Sequence, residues 1–315
     1  MLLKCPVCSS SSTNIRYIDG NLIIASIGSI MPDLSAPSFD VKNYQLVKCD
    51  CCEFVFSDPF LPGDDAFYNW ICQSKYYYPI ERWEWDPVIN FAAQNNLVSV
   101  LDVGCGSGLF LEKLASHSIQ GTGIDLNPDS VAVCQDKGMN ARCIPLTDLA
   151  IAELNDFSLI TLFHVLEHIA NPIQSVLELK NCLSDEGFIA ISVPLSPMSF
   201  ECDWQDPLNL PPHHIGRWNR KSLTKLASEV NMTPSFFIQP SLGLFQRTVI
   251  TLRLVLSLDV IDGQVKWIRL FRHIKRICSN PLVSFKILMN QIKRDNLAGE
   301  QLGDTILMIL SGPEK

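Results

Sequence analysis

A chain of 315 residues, 47% hydrophobic and 18% charged, is neither a single small module nor an intrinsically disordered polymer. A formal charge of −8 and a pI near 5.2 exclude the composition of a protein that coats nucleic acid. The twelve cysteines follow an opening Met1-Leu2-Leu3-Lys4-Cys5 without a basic-then-apolar leader, so a reducing, cytoplasmic setting is expected and metal binding is favoured over disulfides. Apolar runs such as Leu22 to Met31 and Thr248 to Val260 are too short, or too broken by Arg253 and Asp259, to cross about 30 Å of hydrocarbon.

At the N-terminus, Cys5-Pro6-Val7-Cys8 and Cys49-Asp50-Cys51-Cys52 repeat the spacing C-x2-C. A tight turn of that length aims two thiolates at one point, and two turns supply four soft ligands, Cys5, Cys8, Cys49 and Cys52, for a closed tetrahedral zinc site. Cys51 is assigned no ligand role. Such a closed site is structural, since no position is left open for a reacting group. Between the pairs, Asn21 to Ile27 and Tyr44 to Lys48 read as short strands with turns at Gly20, Gly28 and Pro32, and the unit resembles a zinc ribbon. Phe54 to Pro59 is a strand stopped by proline. Aromatic segments around Phe67-Tyr68 and Tyr76-Tyr77 then lead into a second domain, with the boundary near residue 75.

From Leu97 to Val103 the chain is a short apolar run, as in a strand covered on both faces of a parallel sheet. It ends in Gly104-Cys105-Gly106-Ser107-Gly108, and helical spacing follows from Leu109, so glycine stands where backbone N–H groups must approach a ligand. The third glycine comes too early for the dinucleotide fingerprint G-x-G-x-x-G. The next strand, Gly121 to Leu126, brings Asp125 twenty-one residues after Gly104, where a doubly wound sheet needs a carboxylate for ribose hydroxyls. Further strands are expected at Ala141 to Pro145, Phe157 to Leu162 and Phe188 to Val193. A helix started by Asn171 and Pro172 runs to about Leu183. This alternation predicts an α/β fold with a mainly parallel sheet and ligands beyond the carboxyl ends of its strands.

The stretch Val100-Leu101-Asp102-Val103-Gly104-Cys105-Gly106-Ser107-Gly108 resembles the first motif of class I S-adenosylmethionine (SAM)-dependent methyltransferases, and Gly123-Ile124-Asp125 their acidic second motif. His164-Val165-Leu166-Glu167-His168 and Leu183 to Pro194 are similar to the segments after their fourth strand and through their fifth. The resemblance covers roughly residues 75–240. It implies a Rossmann-like seven-stranded sheet whose last strand is antiparallel, and Asp304 to Leu310 suits that strand. It also implies that Gly104, Cys105, Gly106 and Gly108 pass the methionine part of SAM, that Asp102 orients its amino group through the loop, and that Asp125 and Leu126 meet the ribose. Thr147 and Asp148 then lie near the adenine, and His164 lies on the floor of the cofactor site.

The sulfonium of SAM is already a good leaving group, so aligning a nucleophile and removing its proton are the protein's main tasks. Candidate bases are His164, Glu167, His168, His213 and His214, of which His164, His213 and His214 are carried as catalytic candidates. His213 and His214 follow Pro211-Pro212 in a loop over the strand ends, as base or as acceptor ligands.

Cysteine pairs ahead of such a core resemble methyltransferases of polysaccharide and deoxysugar pathways. The segment Lys48 to Pro59 is similar to their second knuckle, with Glu53 in place of the usual glycine. The extra domain of sugar C-methyltransferases is missing, so O-methylation of a sugar-containing or other small acceptor is expected. The alternatives are an rRNA methyltransferase with a zinc module and a non-catalytic SAM-binding scaffold. Residues 1–75 hold no His and only Lys4, Arg16, Lys42, Lys48 and Lys75 as basic groups, few for phosphate contacts.

Beyond residue 240 the expected arrangement is a basic helical insertion followed by the last strand. From Gly263 to Arg294 there are eight Lys and Arg and no acid, which leaves 17 basic against 33 acidic residues elsewhere. Trp267, Leu270, Phe271, Ile274 and Ile277 recur at helical spacing among the basic residues, so the stretch reads as a basic amphipathic helix. It packs on the core with its basic face in water, meets an acceptor phosphate, or docks on an anionic inner membrane surface.

Overall fold

The computed structural model describes residues 3–77, 80–149, 151–256, 275–298 and 303–312. Trp267, Leu270, Phe271 and Ile274 lie outside the described residues. The chain divides into two compact units, one made of residues 1–194, 207–237 and 306–315, the other of residues 195–206 and 238–305.

The first unit contains two sheets. In the smaller, the strands β1 (Ser12–Ile18), β2 (Tyr44–Cys49), β3 (Val55–Asp58) and β9 (Gly216–Arg217) are ordered β1-β2-β3-β9 with antiparallel pairings. The expected strand over Asn21 to Ile27 is instead helix α1 (Gly20–Ile30). Asp19 caps it by accepting from the Asn21 N–H, and Gly20, Ile23 and Ile27 fall on one buried face at spacings of three and four. The partner of β2 is the polar Ser12–Ile18 segment, whose outward positions are exposed and whose ends, Ser12 and Ile18, are buried. A local core of Ile18, Ile23, Ile27, Leu46, Phe67 and Trp70 joins this sheet to α1 and to α2 (Asp65–Ile71).

The larger sheet has the seven strands that the resemblance implies, in the order β10-β11-β8-β7-β4-β5-β6. These are β4 (Ser99–Val103), β5 (Gln120–Asp125), β6 (Asn140–Cys143), β7 (Phe157–Phe163), β8 (Leu183–Pro194), β10 (Thr233–Ile238) and β11 (Thr305–Ser311). The pairs β4/β5, β4/β7, β5/β6 and β7/β8 are parallel. Helix α3 (Trp85–Gln94) leads into β4, and α4 (Leu109–Ser116), α5 (Pro128–Asp136), α6 (Pro172–Lys180) and α7 (Arg220–Glu229) lie between later strands. Helix α6 stops at Lys180, three residues short of the expected end, because Leu183 already pairs with Phe157. Val100, Leu114, Phe110, Leu159, Ala190 and Leu307 belong to one buried cluster, and the alternate strand residues Leu101, Ile160 and Ile189 are buried too, so the central strands are apolar on both faces.

In the second unit, α8 (Leu244–Val255) and α9 (Pro281–Ala298) pack together. Among the described residues no helix is long and apolar enough to cross a membrane.

Candidate functional site

The loop after β4 takes its shape from three glycines with positive φ, 74° at Gly104, 51° at Gly106 and 82° at Gly108. A Cβ on Gly104 would lie 2.6 Å from Cγ2 of Val165, so the loop leans directly on the segment after β7. Gly123 on β5 allows the same closeness, since a Cβ there would meet Sγ of Cys105 at 2.6 Å. The Gly104 and Cys105 N–H groups donate to the Ile124 carbonyl at 2.8 and 3.1 Å.

Asp125 ends β5 and ties the loop to the following turn: Oδ2 accepts from Gly106 N–H and Oδ1 from Asn127 N–H, both at 2.8 Å. Each oxygen has lone-pair capacity left for a hydroxyl donor. Leu126 beside it is 73% exposed, an apolar surface next to a carboxylate, as a nucleoside requires. Asp148 lies in a short helical turn (Leu146–Asp148) and accepts from the Thr147 hydroxyl at 3.1 Å. Asp102 is buried under the loop, where Oδ1 accepts from the Thr161 hydroxyl at 2.7 Å. Burial pushes its carboxyl up to about 7, the Thr161 bond offsetting only part of the shift.

Next to the loop stands a buried histidine–carboxylate cluster, built from four parts of the chain. His164 follows β7 in the left-handed region at φ 57°, a strain of about 1–2 kcal/mol for a side chain with a Cβ. Its ring is held from both sides, with Nε2 3.1 Å from Glu84 Oε1 and Nδ1 3.4 Å from Glu167 Oε1. Burial works against the imidazolium, but Glu167 and Glu84 outweigh it and hold His164 above the ordinary histidine range. Glu84 is fixed at the start of α3 and also accepts from the Ser192 hydroxyl at 3.0 Å; in spite of burial, His164 holds it below the usual carboxylate range.

The other three histidines form a stack. His213 and His214 lie ring on ring at 4.5 Å, and His168 meets them edge-on at 4.7 and 4.8 Å. His168 Nδ1 is 2.6 Å from the His213 carbonyl, His213 Nδ1 is 2.8 Å from the Leu208 carbonyl, and His214 Nδ1 is 3.0 Å from Asn209 Oδ1. An acceptor at every Nδ1 places the proton there and leaves each Nε2 with a lone pair. Tyr77 uses the one on His213, its hydroxyl donating at 3.0 Å. Burial and the neighbouring rings push His213 down to about 3 and His214 well below the ordinary range, so both are neutral near pH 7. Burial lowers His168 as well. Ligand atoms of His168, His213 and His214 lie within 4.8 Å of one another, a spacing one cation could bridge. Glu167 is fully buried, with Oε1 3.4 Å from His164 Nδ1 and 3.8 Å from His214 Nε2.

The cysteine-bearing sheet positions this cluster. The Ile215 N–H donates to the Glu167 carbonyl, and the Ile215 carbonyl accepts from Ser57 at the β3 side. The Gly63 N–H donates to the Pro212 carbonyl, and Tyr68 on α2 approaches His168 Nδ1 at 3.1 Å. The histidines and Glu167 are candidates on sequence alone; Glu84, Tyr68, Tyr77 and Asn209 are not. Nothing local marks these four; only the fold brings them to the site.

Of the twelve cysteines, all unpaired, Cys5, Cys8, Cys49 and Cys52 converge. Sulfur separations are 3.6 Å for Cys5–Cys52, 3.4 Å for Cys8–Cys49 and 3.6 Å for Cys8–Cys52. Zinc–thiolate bonds of about 2.3 Å in a tetrahedron set sulfurs about 3.8 Å apart, so the donor set fits such an ion. The backbone supports it: Val7 N–H points at Cys5 Sγ, and Cys51 and Cys52 N–H both point at Cys49 Sγ, each at 3.4 Å. Cys51 itself is exposed and outside the cluster.

Residues 80–234 match a family model described as a methyltransferase domain. The chain is 33% identical over 99 residues to the ubiquinone biosynthesis O-methyltransferase of Chromobacterium violaceum, covering 30% of this chain and 43% of that protein. It is 31% identical over 108 residues to the enzyme of the same name from Bordetella bronchiseptica, covering 32% and 45%. The chain thus spans under half the length of these relatives. Among solved structures, a SAM-dependent methyltransferase from Archaeoglobus fulgidus aligns with a TM-score of 0.47 at 16% identity, over 72% of this chain and 94% of that one.

Proposed function

We propose that the protein, whose residues 80–234 match a family model described as a methyltransferase domain, transfers a methyl group from SAM to an oxygen of a small acceptor, a sugar-containing molecule first among them. The observation that carries this reading is a glycine loop tied to Asp125 and braced on Val165, in the segment whose Glu167 stands beside the buried His214. SAM, when bound, supplies an electrophilic methyl on a sulfonium, which needs no activation by the protein. Gly104 to Gly108, bare of side chains at the three glycines, would pass its amino-acid part, and Asp125, with the exposed Leu126 beside it, would accept from the ribose hydroxyls.

His214 is the best placed of the three histidine candidates to take the acceptor proton. His213 has both ring nitrogens engaged, and His164 is held toward its protonated form between two carboxylates. His214 keeps its Nε2 lone pair, its tautomer is set by Asn209, and Glu167 stands where it would stabilise the imidazolium that forms. His164 serves as a positioning residue on the cofactor floor, and Asp102 supports the loop from below. The cysteine cluster fits structural zinc, which would hold the sheet that clamps Ile215 next to His214.

The test is transfer of radiolabel from methyl-labelled SAM to nucleotide sugars, lipid-linked glycans and phenolic acceptors, with unmodified ribosomal RNA alongside. The expected result is label in a small acceptor and, in His214→Asn, a fall in kcat of about 100-fold or more with SAM affinity kept. Label in RNA alone, or SAM binding with no transfer to any acceptor, would overturn the proposal. The sugar class rests on the similarity of Lys48 to Pro59 to the second knuckle of deoxysugar-pathway enzymes, while the relatives named above carry ubiquinone biosynthesis in their names.

A further inference from the structure

Helices α8 and α9 of the second unit have an inverted pattern. Their facing sides are held by polar groups: Arg247 Nε donates to Gln291 Oε1 at 3.2 Å, and Gln291 Nε2 donates to the Ser199 carbonyl at 2.8 Å and to the Thr251 hydroxyl at 3.3 Å. Arg247, Thr251 and Gln291 are buried, with Leu252 and Ile287 as the apolar part of the contact. The outward positions carry large apolar side chains instead. On α9, Leu282 is 84% exposed, Phe285 63% and Met289 45%, at spacings of three and four that make one stripe; on α8, Phe245 is 80% exposed. A stripe of this size, facing away from its own core, marks an interaction surface.

Charge identifies what it meets. Residues 244–256 and 275–294 hold seven Lys and Arg and no acid, in a chain whose net charge is −8. Five of these cations, Arg253, Lys275, Arg276, Lys286 and Lys293, are exposed, and Lys286 and Lys293 continue the Leu282–Phe285–Met289 face. Exposed aromatic and aliphatic residues bordered by Lys and Arg suit the headgroup region of an anionic bilayer, with the rings entering the acyl boundary and the cations meeting lipid phosphates. A water-soluble acidic protein would be matched by the charges but not by the protruding Phe245, Leu282 and Phe285.

We propose that α8 and α9 form a docking face for an anionic membrane surface, lying on it rather than crossing it. The proposal is independent of the methyl acceptor and of which histidine is the base. It is tested by flotation of the full-length protein with vesicles of phosphatidylcholine alone and of phosphatidylcholine with phosphatidylglycerol. The expected result is recovery with the anionic vesicles, little with the neutral ones, and at least a tenfold loss of bound protein in Leu282→Ser/Phe285→Ser and in Lys286→Glu/Lys293→Glu. All four positions are exposed, so both variants keep the fold, which an unchanged melting temperature verifies. Failure of the wild type to float with anionic vesicles would overturn the proposal, as would flotation unaffected by either variant. A wild-type dimer that becomes monomeric in Leu282→Ser/Phe285→Ser by light scattering would also overturn it, by assigning the face to a second copy of the chain.

Discussion

Replacing Asp125 with alanine removes one carboxylate from the junction of β5, the glycine loop and the Asn127 turn. In the proposed complex that carboxylate accepts from two ribose hydroxyls. Hydrogen bonds to a charged group contribute about 1.5 kcal/mol each at the lower end of their range, so the pair is worth about 3 kcal/mol, or roughly a 150-fold weaker Kd. A second loss is local, because the Gly106 and Asn127 N–H groups, each 2.8 Å from the carboxylate, both lose their acceptor. Water can replace it at this partly exposed turn, so the cost to folding should stay near 1 kcal/mol and the variant should melt cooperatively. Calorimetric titration with SAM and with its demethylated product should show the affinity loss for both ligands, since both carry the ribose. A well-folded Asp125→Ala protein that binds SAM within threefold of the wild type would refute the assignment of this carboxylate to the ribose.

Other expectations are more local. Gly104→Ala combines φ 74° with a Cβ 2.6 Å from Val165 Cγ2, so it should cost about 1–3 kcal/mol in urea unfolding; an unchanged midpoint would show that the loop is not braced against Val165. Cys8→Ser removes one of four converging sulfurs, and bound zinc should fall from one equivalent to near none by elemental analysis, with a lowered melting temperature. His213 is pushed down to about 3 from an ordinary value near 6.5, so the unfolded chain binds the extra proton between those pH values and stability is lost as pH falls through that window. Going from pH 7 to 5, this group alone should cost the wild type about 2 kcal/mol, and His213→Gln should lose correspondingly less over the same interval in urea melts. Equal pH slopes for the two proteins would contradict a buried, neutral His213.

Much of the sheet was legible in the sequence because its signals are local. Parallel strands covered on both faces must be apolar throughout, and a sharp strand-to-helix turn under a ligand requires glycine, so Val100 to Gly108 and Asp125 announce their positions. The paired C-x2-C spacing is equally local, and the four sulfurs do converge. Asn21 to Ile27 misled because a short apolar run of seven residues satisfies strand and helix periods alike; the cap at Asp19 and the buried face of Ile23 and Ile27 decide for helix.

Local pattern was enough for the glycine loop, the acidic residue beyond it, the alternation of strands and helices along the large sheet and the four cysteines that could share a metal. How the histidines differ depends on contacts made in three dimensions. His164, His213 and His214 are the same residue type, yet one lies between the Glu84 and Glu167 carboxylates, one has both nitrogens occupied, and one has Nδ1 on Asn209 and Nε2 3.8 Å from Glu167. Glu84 and Tyr77 come from well before these histidines in the chain, whereas Leu208 and Asn209 lie in the turn just ahead of His213 and His214. An imidazole's protonation depends on what surrounds it in space, and spacing along the chain carries none of that information.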